Sequence, residues 1–338
     1  MSVLQVGTAV VAFACGGAEH GPAADQPTER VVVAETWDTV FVRWLEVQDT
    51  FFAEPWALEV WGHRIAVLDY IDQRVVLLDR QGRITEVVGR KGSGPGEFAW
   101  LLDLYVGRDG GLWLVDGGNM RLTRINSTGT VSGTFPLPRL PGFPFSVVEL
   151  EEGYAVTLLR TRGSDHSVYL LDHAFRVRDS LSYPWPEPIA DSISVSARAV
   201  VDPEDPSRWT AALRVGPGFF TWRDGEGRAH AYVQDVPFQP RISQDRTARR
   251  EDHGWYGAIA VTIRNGEVYL LFGGRPKRNA HPMEPTRYID VYSLDGDYRR
   301  SYLLPGHTLD FAMDGDVFYV IQYEPDYGVL ALRPRGTQ

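Results

Sequence analysis

The sequence has one cysteine and almost no lysine. The single thiol, Cys15, excludes a disulfide within this chain of 338 residues. It lies in the leader, so a catalytic thiol in the body of the chain is excluded as well. Of the 34 basic residues only Lys91 and Lys277 are lysine, and the rest are arginine, the side chain suited to bidentate pairing with carboxylate or phosphate. Acids outnumber bases, 44 to 34, for a net charge of −10. That balance excludes a general nucleic-acid binder, which needs a basic footprint. No GxSxG, no HExxH and no phosphate-binding Gly-rich loop occurs, and the eight histidines form no close pair. Long amphipathic helical patterns are absent, and no apolar run is long enough to cross a bilayer as a helix.

What is present points to β-structure. Hydrophobic residues make up 43% of the chain and aromatics 12%, with ten Trp, enough for a large core and too many for a disordered chain. The 34 Gly and 22 Pro imply many turns between short strands.

The start of the chain is read separately. The apolar stretch Val3 to Ala14 has the length of a signal-peptide core. Its end, Ala12-Phe13-Ala14-Cys15, resembles a bacterial lipoprotein lipobox, which implies cleavage and lipidation at Cys15. Phe13 is bulky for that motif, and no basic residue precedes Cys15. Residues 16–28 are small and polar and read as a flexible tether. Residues 29–338 then form the folded domain.

Repeats set the fold of that domain. Asp69 and Asp116, Arg74 and Arg121, and Gly82 and Gly129 each stand 47 residues apart. Short runs of Val, Leu, Ile and Tyr separate these marks, closed by turn dipeptides. A period of about 45–50 residues with four strands is that of a propeller blade. Six blades can be traced, at 56–89, 98–136, 142–184, 192–238, 256–304 and 307–333. The last lacks an outer strand, and residues 39–47 supply it from the other end of the chain. The expectation is therefore an all-β, six-bladed β-propeller whose last blade is closed by an N-terminal strand. Asp69 with Arg74, and Asp116 with Arg121, are expected to pair across a strand-to-strand turn, and Phe98 to fill the gap between blades.

The run Gly89-Arg90-Lys91-Gly92-Ser93-Gly94-Pro95-Gly96-Glu97-Phe98, followed by Leu112-Trp113-Leu114-Val115-Asp116 and Asn119-Met120-Arg121, resembles the NHL-type repeat. The GxGPGEF loop is similar to that of bacterial six-bladed propellers found mostly in exported lipoproteins. The resemblance covers the first two blades. It implies the fold and a cell-envelope location, and it leaves function open, because related propellers include lyases, lactonase-like enzymes and pure binding scaffolds.

Propeller topology adds a functional expectation. The connections from outer to next inner strand share one face with those between second and third strands. The longest connections, 239–255 and 273–287, belong to that face, and long connections are more often functional than short turns. Four of its connections carry excess positive charge, whereas Asp79, Asp109, Asp224, Glu226, Asp295, Asp297, Asp314 and Asp316 mark the opposite turns. The primary reading is a non-catalytic propeller that recognises a protein or anionic ligand through Arg246, Arg249, Arg250, Trp255, Arg275, Lys277 and Arg278. Trp100 and Tyr256 are placed near the same face. This reading expects a monomer, no nucleic acid, no cofactor, and membrane attachment through the lipid anchor. The alternative is a metal-dependent lyase or hydrolase at the channel mouth. Its divalent metal would take His253, His307, Asp103 and Asp310, with Glu149 nearby, as ligands. Local hydrogen bonding of these histidines, and pairing of the acids with channel arginines, is the structural reading of the same residues.

Overall fold

The computed structural model describes residue 27 and residues 29–45, 52–159, 168–181, 196–214, 218–233, 257–273 and 286–335. Among them all regular structure is β-strand. Four antiparallel four-stranded sheets, within residues 55–88, 101–136, 143–181 and 197–231, form the first four blades. The fifth and sixth blades are joined in one eight-stranded sheet. The joint is the strand Tyr298–Asp314, which closes the fifth blade and continues through Pro305 and Gly306 as the inner strand of the sixth. Trp37–Trp44 is the outer strand of the sixth blade, antiparallel to Gly328–Pro334, with Trp37 opposite Pro334 and Trp44 opposite Gly328. The protein is a six-bladed β-propeller, closed by its N-terminal strand.

The strand sequences follow from their position in the blade. Second and third strands are covered on both sides by neighbouring blades, so they read as unbroken apolar runs. Ile65 to Leu68 and Val75 to Leu78 are completely buried. Outer strands are covered on one side and alternate, as in Ile84–Val88 and Val131–Pro136.

The turns repeat as well. In the first three blades the residue at the end of the third strand, or just past it, accepts two backbone N–H bonds from the turn that follows. Asp79 takes them from Gln81 and Arg83, Asn126 from Thr128 and Thr130, and Asp172 from Ala174 and Arg176. The fourth turn residue is left-handed, which Gly82 (φ 76°) and Gly129 (φ 84°) adopt freely. Phe175 does so at φ 58° and is held by stacking on Tyr154 at 4.7 Å.

Two features are absent from the sequence pattern. Val32–Ala34 adds a short parallel strand to the fifth blade, Val32 opposite Ser301. Just before it, Arg30 makes a bidentate pair with the buried Asp290, at 2.7 and 2.8 Å. Its guanidinium also lies 4.7 Å from the Phe272 ring centre and 4.5 Å from that of Tyr288. Residues 30–34 thus bind the fifth blade before the chain completes the sixth.

Candidate functional site

The connection between the first two blades shows how the motif residues are used. Asp69 and Asp116 are fully buried at the ends of second strands. Asp69 accepts N–H bonds from Ala53 and Glu54, and Asp116 from Ala99 and Trp100. Each buried carboxylate therefore ties the segment entering its blade to a turn on the loop-rich face. Arg74 lies 3.6 Å from Asp69, and Arg121 lies 3.2 Å from Asp116. Arg121 also donates to the Ser93, Gly94 and Glu97 carbonyls, so it holds the glycine-rich loop. Within that loop Glu97 accepts from Gly94 N–H and Arg90, and these bonds hold its carboxyl below the usual range. Phe98 is fully buried and lies so close to Gly89 that a Cβ there would collide with its ring.

Below this face a guanidinium crosses the ring. Arg198, on the inner strand of the fourth blade, donates to Asp103 of the second blade at 2.8 Å and to Asp310 of the sixth at 2.6 Å. Asp310 also accepts the N–H of Leu58, from the first blade, at 2.8 Å. Burial opposes the charge on Arg198, but Asp103 and Asp310 outweigh it and the net shift is upward. Burial pushes Asp310 up to about 6, against the pull of Arg198. Glu59, on the inner strand of the first blade, is half-buried. Burial, then the neighbouring Asp310, pushes it up to about 7, with Arg264 opposing.

Aromatic side chains gather on the loop-rich face above this tie. The Arg214 guanidinium lies 5.0 Å from the Phe145 ring and 5.6 Å from that of Trp56. Trp56 stacks on Tyr70 at 5.0 Å. The Tyr70 hydroxyl accepts from the Trp100 indole at 2.8 Å, and Trp100 meets the edge of Phe143 at 5.0 Å. Ile71 and Phe143 are 51% and 39% exposed, so this row of rings ends in open apolar surface over the first three blades.

The sequence-predicted residues fall into two groups. Arg246, Arg249, Arg250, His253, Trp255, Arg275, Lys277, Arg278 and Cys15 lie outside the described residues, as does Tyr256. The others are placed. Asp103 and Asp310 are both taken by Arg198. His307 lies 4.0 Å from Glu324, in an open cleft of about 440 Å³ that Arg287 also lines. Glu149 accepts the backbone N–H of Arg108. Among the described residues no group of three His, Cys, Asp or Glu is arranged to hold a metal ion.

The opposite turns are less acidic in effect than in sequence. Asp79 pairs with Arg83 at 2.6 Å, Asp109 with Arg124 at 2.6 Å, Asp314 with Arg80 at 2.8 Å and Asp316 with Arg333 at 2.9 Å. The same face has a cleft of about 310 Å³ between the fourth and fifth blades. Its wall is the Trp209–Trp222 stack, with rings 3.9 Å apart, and Arg208, Arg223 and Arg228 also line it. Sequence reasoning passed over Arg198, Arg214 and Glu59, because partners from four different blades leave no spacing to read.

The model of a family described as a 6-bladed beta-propeller matches residues 30–166. A search of the curated proteins finds no match. Among solved structures the chain is similar to a protein described as exported from Bacteroides fragilis, with 14% identity, a TM-score of 0.59, and 93% of this chain and 98% of that one covered. It is similar to virginiamycin B lyase from Staphylococcus aureus, at 12% identity and a TM-score of 0.53, over 89% of this chain and 100% of that one. It is also similar to a gluconolactonase from Xanthomonas campestris, at 15% identity and a TM-score of 0.51, over 92% and 99%. At these identities the likeness is one of fold.

Proposed function

We propose that this six-bladed propeller is an exported, lipid-anchored binding module that recognises a protein or anionic ligand over its loop-rich face, without chemistry. The observation that carries the reading is the row Trp56, Tyr70, Trp100 and Phe143, which ends in exposed apolar surface on that face. Rings of this kind, locked by stacking and one hydrogen bond, lose little freedom on binding and make good anchors. The arginines of 239–255 and 273–287 would add charge around them. Export is supported by the leader sequence and by the exported Bacteroides neighbour.

The alternative is a metal-dependent lyase or hydrolase at the channel mouth. Two neighbours of the same fold bear lyase and lactonase names. The readings separate on metal content and on mutation. An enzyme of that kind holds about one metal per chain, and chelator lowers its melting temperature. For a binding module, cross-linking in the intact cell envelope should capture a partner. Trp100→Ala with Phe143→Ala should abolish that capture, and Arg223→Ala on the opposite face should not. Capture that survives the ring substitutions, or a stoichiometric metal, would reject the binding reading.

A further inference from the structure

Among the described residues, five of the ten exposed large hydrophobic side chains lie within residues 31–44: Val31, Val32, Val40, Val42 and Trp44, at 59%, 40%, 47%, 39% and 44% exposure. Their spacing has a cause. Trp37–Trp44 is an outer strand, and its side chains alternate. Phe41 turns inward and is buried, whereas Val40, Val42 and Trp44 turn outward. Outer edges in natural proteins are normally protected by charge. Here Asp38 is already engaged by Arg335, and the outward row of the strand from Val40 on is valine and tryptophan.

We propose that this rim of the fifth and sixth blades rests on the surface of a phospholipid bilayer. The inference depends on the anchored reading given above, and the position of the chain supports it. Arg30, which pairs with Asp290 of the fifth blade, stands immediately before the first residue of the patch and 15 residues after Cys15. The 13 residues 16–28 span at most about 45 Å when fully extended, so an anchor at Cys15 keeps this rim within that reach of the membrane. Tethering makes the contact intramolecular, and a weak apolar patch then suffices. Tryptophan suits the headgroup boundary and valine adds apolar area, and with Asp38 paired to Arg335 and Arg333 to Asp316 the contact is apolar rather than electrostatic. A propeller resting on its rim keeps its loop-rich face turned sideways and open to a partner.

The ring closes between residues 37 and 335, so the chain from Gly16 contains both strands that close it. It would be produced with a hexahistidine tag in place of the leader and held on vesicles of zwitterionic phospholipid doped with a nickel-chelating lipid. Amide hydrogen exchange is then compared on vesicles and in solution. The expected result is roughly tenfold slower exchange, confined to residues 31–44, that is insensitive to 0.5 M salt. The triple variant Val40→Ser, Val42→Ser, Trp44→Ser should lose this protection while melting as a folded protein. Equal exchange of 31–44 with and without vesicles would overturn the proposal. So would protection that appears in solution as protein concentration rises, which would assign the rim to a second copy. Mass spectrometry of Cys15 in protein from the envelope tests the anchor on its own. An unacylated cysteine would reject the anchor while the vesicle result stood.

Discussion

Arg198 and Asp310 meet at 2.6 Å across the centre of the ring, joining the fourth blade to the sixth, while the same guanidinium holds Asp103 of the second. Alternate blades are thus tied through one side chain. Both carboxylates are buried, with side chains 6% and 3% exposed. Replacing Arg198 by Met leaves two buried carboxylates without their cation. Breaking a buried pair in this way destabilises by about 3–5 kcal/mol. Chemical denaturation should show that loss at pH 8. It should shrink toward pH 4, where Asp310, already pushed up to about 6 by burial, takes up a proton. A loss under 1 kcal/mol at pH 8 would mean that the channel is wet enough to solvate both acids.

Glu59 gives a pH dependence of opposite sense to that of a salt-bridged acid. Its folded pKa is raised to about 7 from the ordinary 4.5. Between these values the folded state holds more protons than the unfolded state, so stability falls as pH rises from 4.5 to 7. The loss is complete above pH 7 and amounts to about 3–3.5 kcal/mol at most. Glu59→Gln removes the titration. The variant should match the natural protein near pH 4.5 and melt higher at pH 8. A variant that melts lower at pH 8 would show that the ionised carboxylate is held by Arg264 more strongly than burial opposes it.

Arg30 fastens the entering chain. Without its guanidinium, the fully buried Asp290 keeps the Ser301 hydroxyl at 2.6 Å but loses its cation. Arg30→Ala should therefore destabilise by about 2–4 kcal/mol. It should also free Val32–Ala34 from the fifth blade, so limited proteolysis near residues 30–36 should accelerate well before global unfolding. Arg30→Lys keeps the charge but not the fork, and should restore only part of the loss.

The blade boundaries and the closing strand could be read from the sequence, because each rests on a local signal. The 47-residue offset joins Asp69 to Asp116, and an unpaired strand at 39–47 matched a blade that lacked one. The parallel strand Val32–Ala34 could not be read, since two bridged residues leave no periodic trace. The Arg198 tie was hidden for another reason. Asp103, Arg198 and Asp310 are 95 and 112 residues apart, and ring closure alone brings them together. Asp103 and Asp310 were therefore legible as channel acids, but the cation that occupies them was not.

Asp116 links the repeat motif to the proposed binding face, and its substitution should separate the two roles. Its carboxylate accepts from the Trp100 and Ala99 backbones at 3.2 Å each, from the Asn119 side chain at 2.7 Å and from Arg121 at 3.2 Å. Asp116→Ala leaves these buried donors unmatched, at about 1–3 kcal/mol for a lost buried partner. Trp100 is positioned from below by this backbone and from above by Tyr70, so loosening one end should let the ring move. Amides 99–101 should then exchange faster than the blade around them. Affinity for a cross-linked partner should drop together with that local protection, at temperatures where the rest of the ring is still folded. Asp116→Asn is the informative contrast, because its amide oxygen can still accept from the backbone while the pair with Arg121 weakens. It should keep Trp100 in place and loosen the glycine-rich loop that Arg121 holds. If both variants lose the partner equally, the loop rather than the aromatic row is what the partner touches.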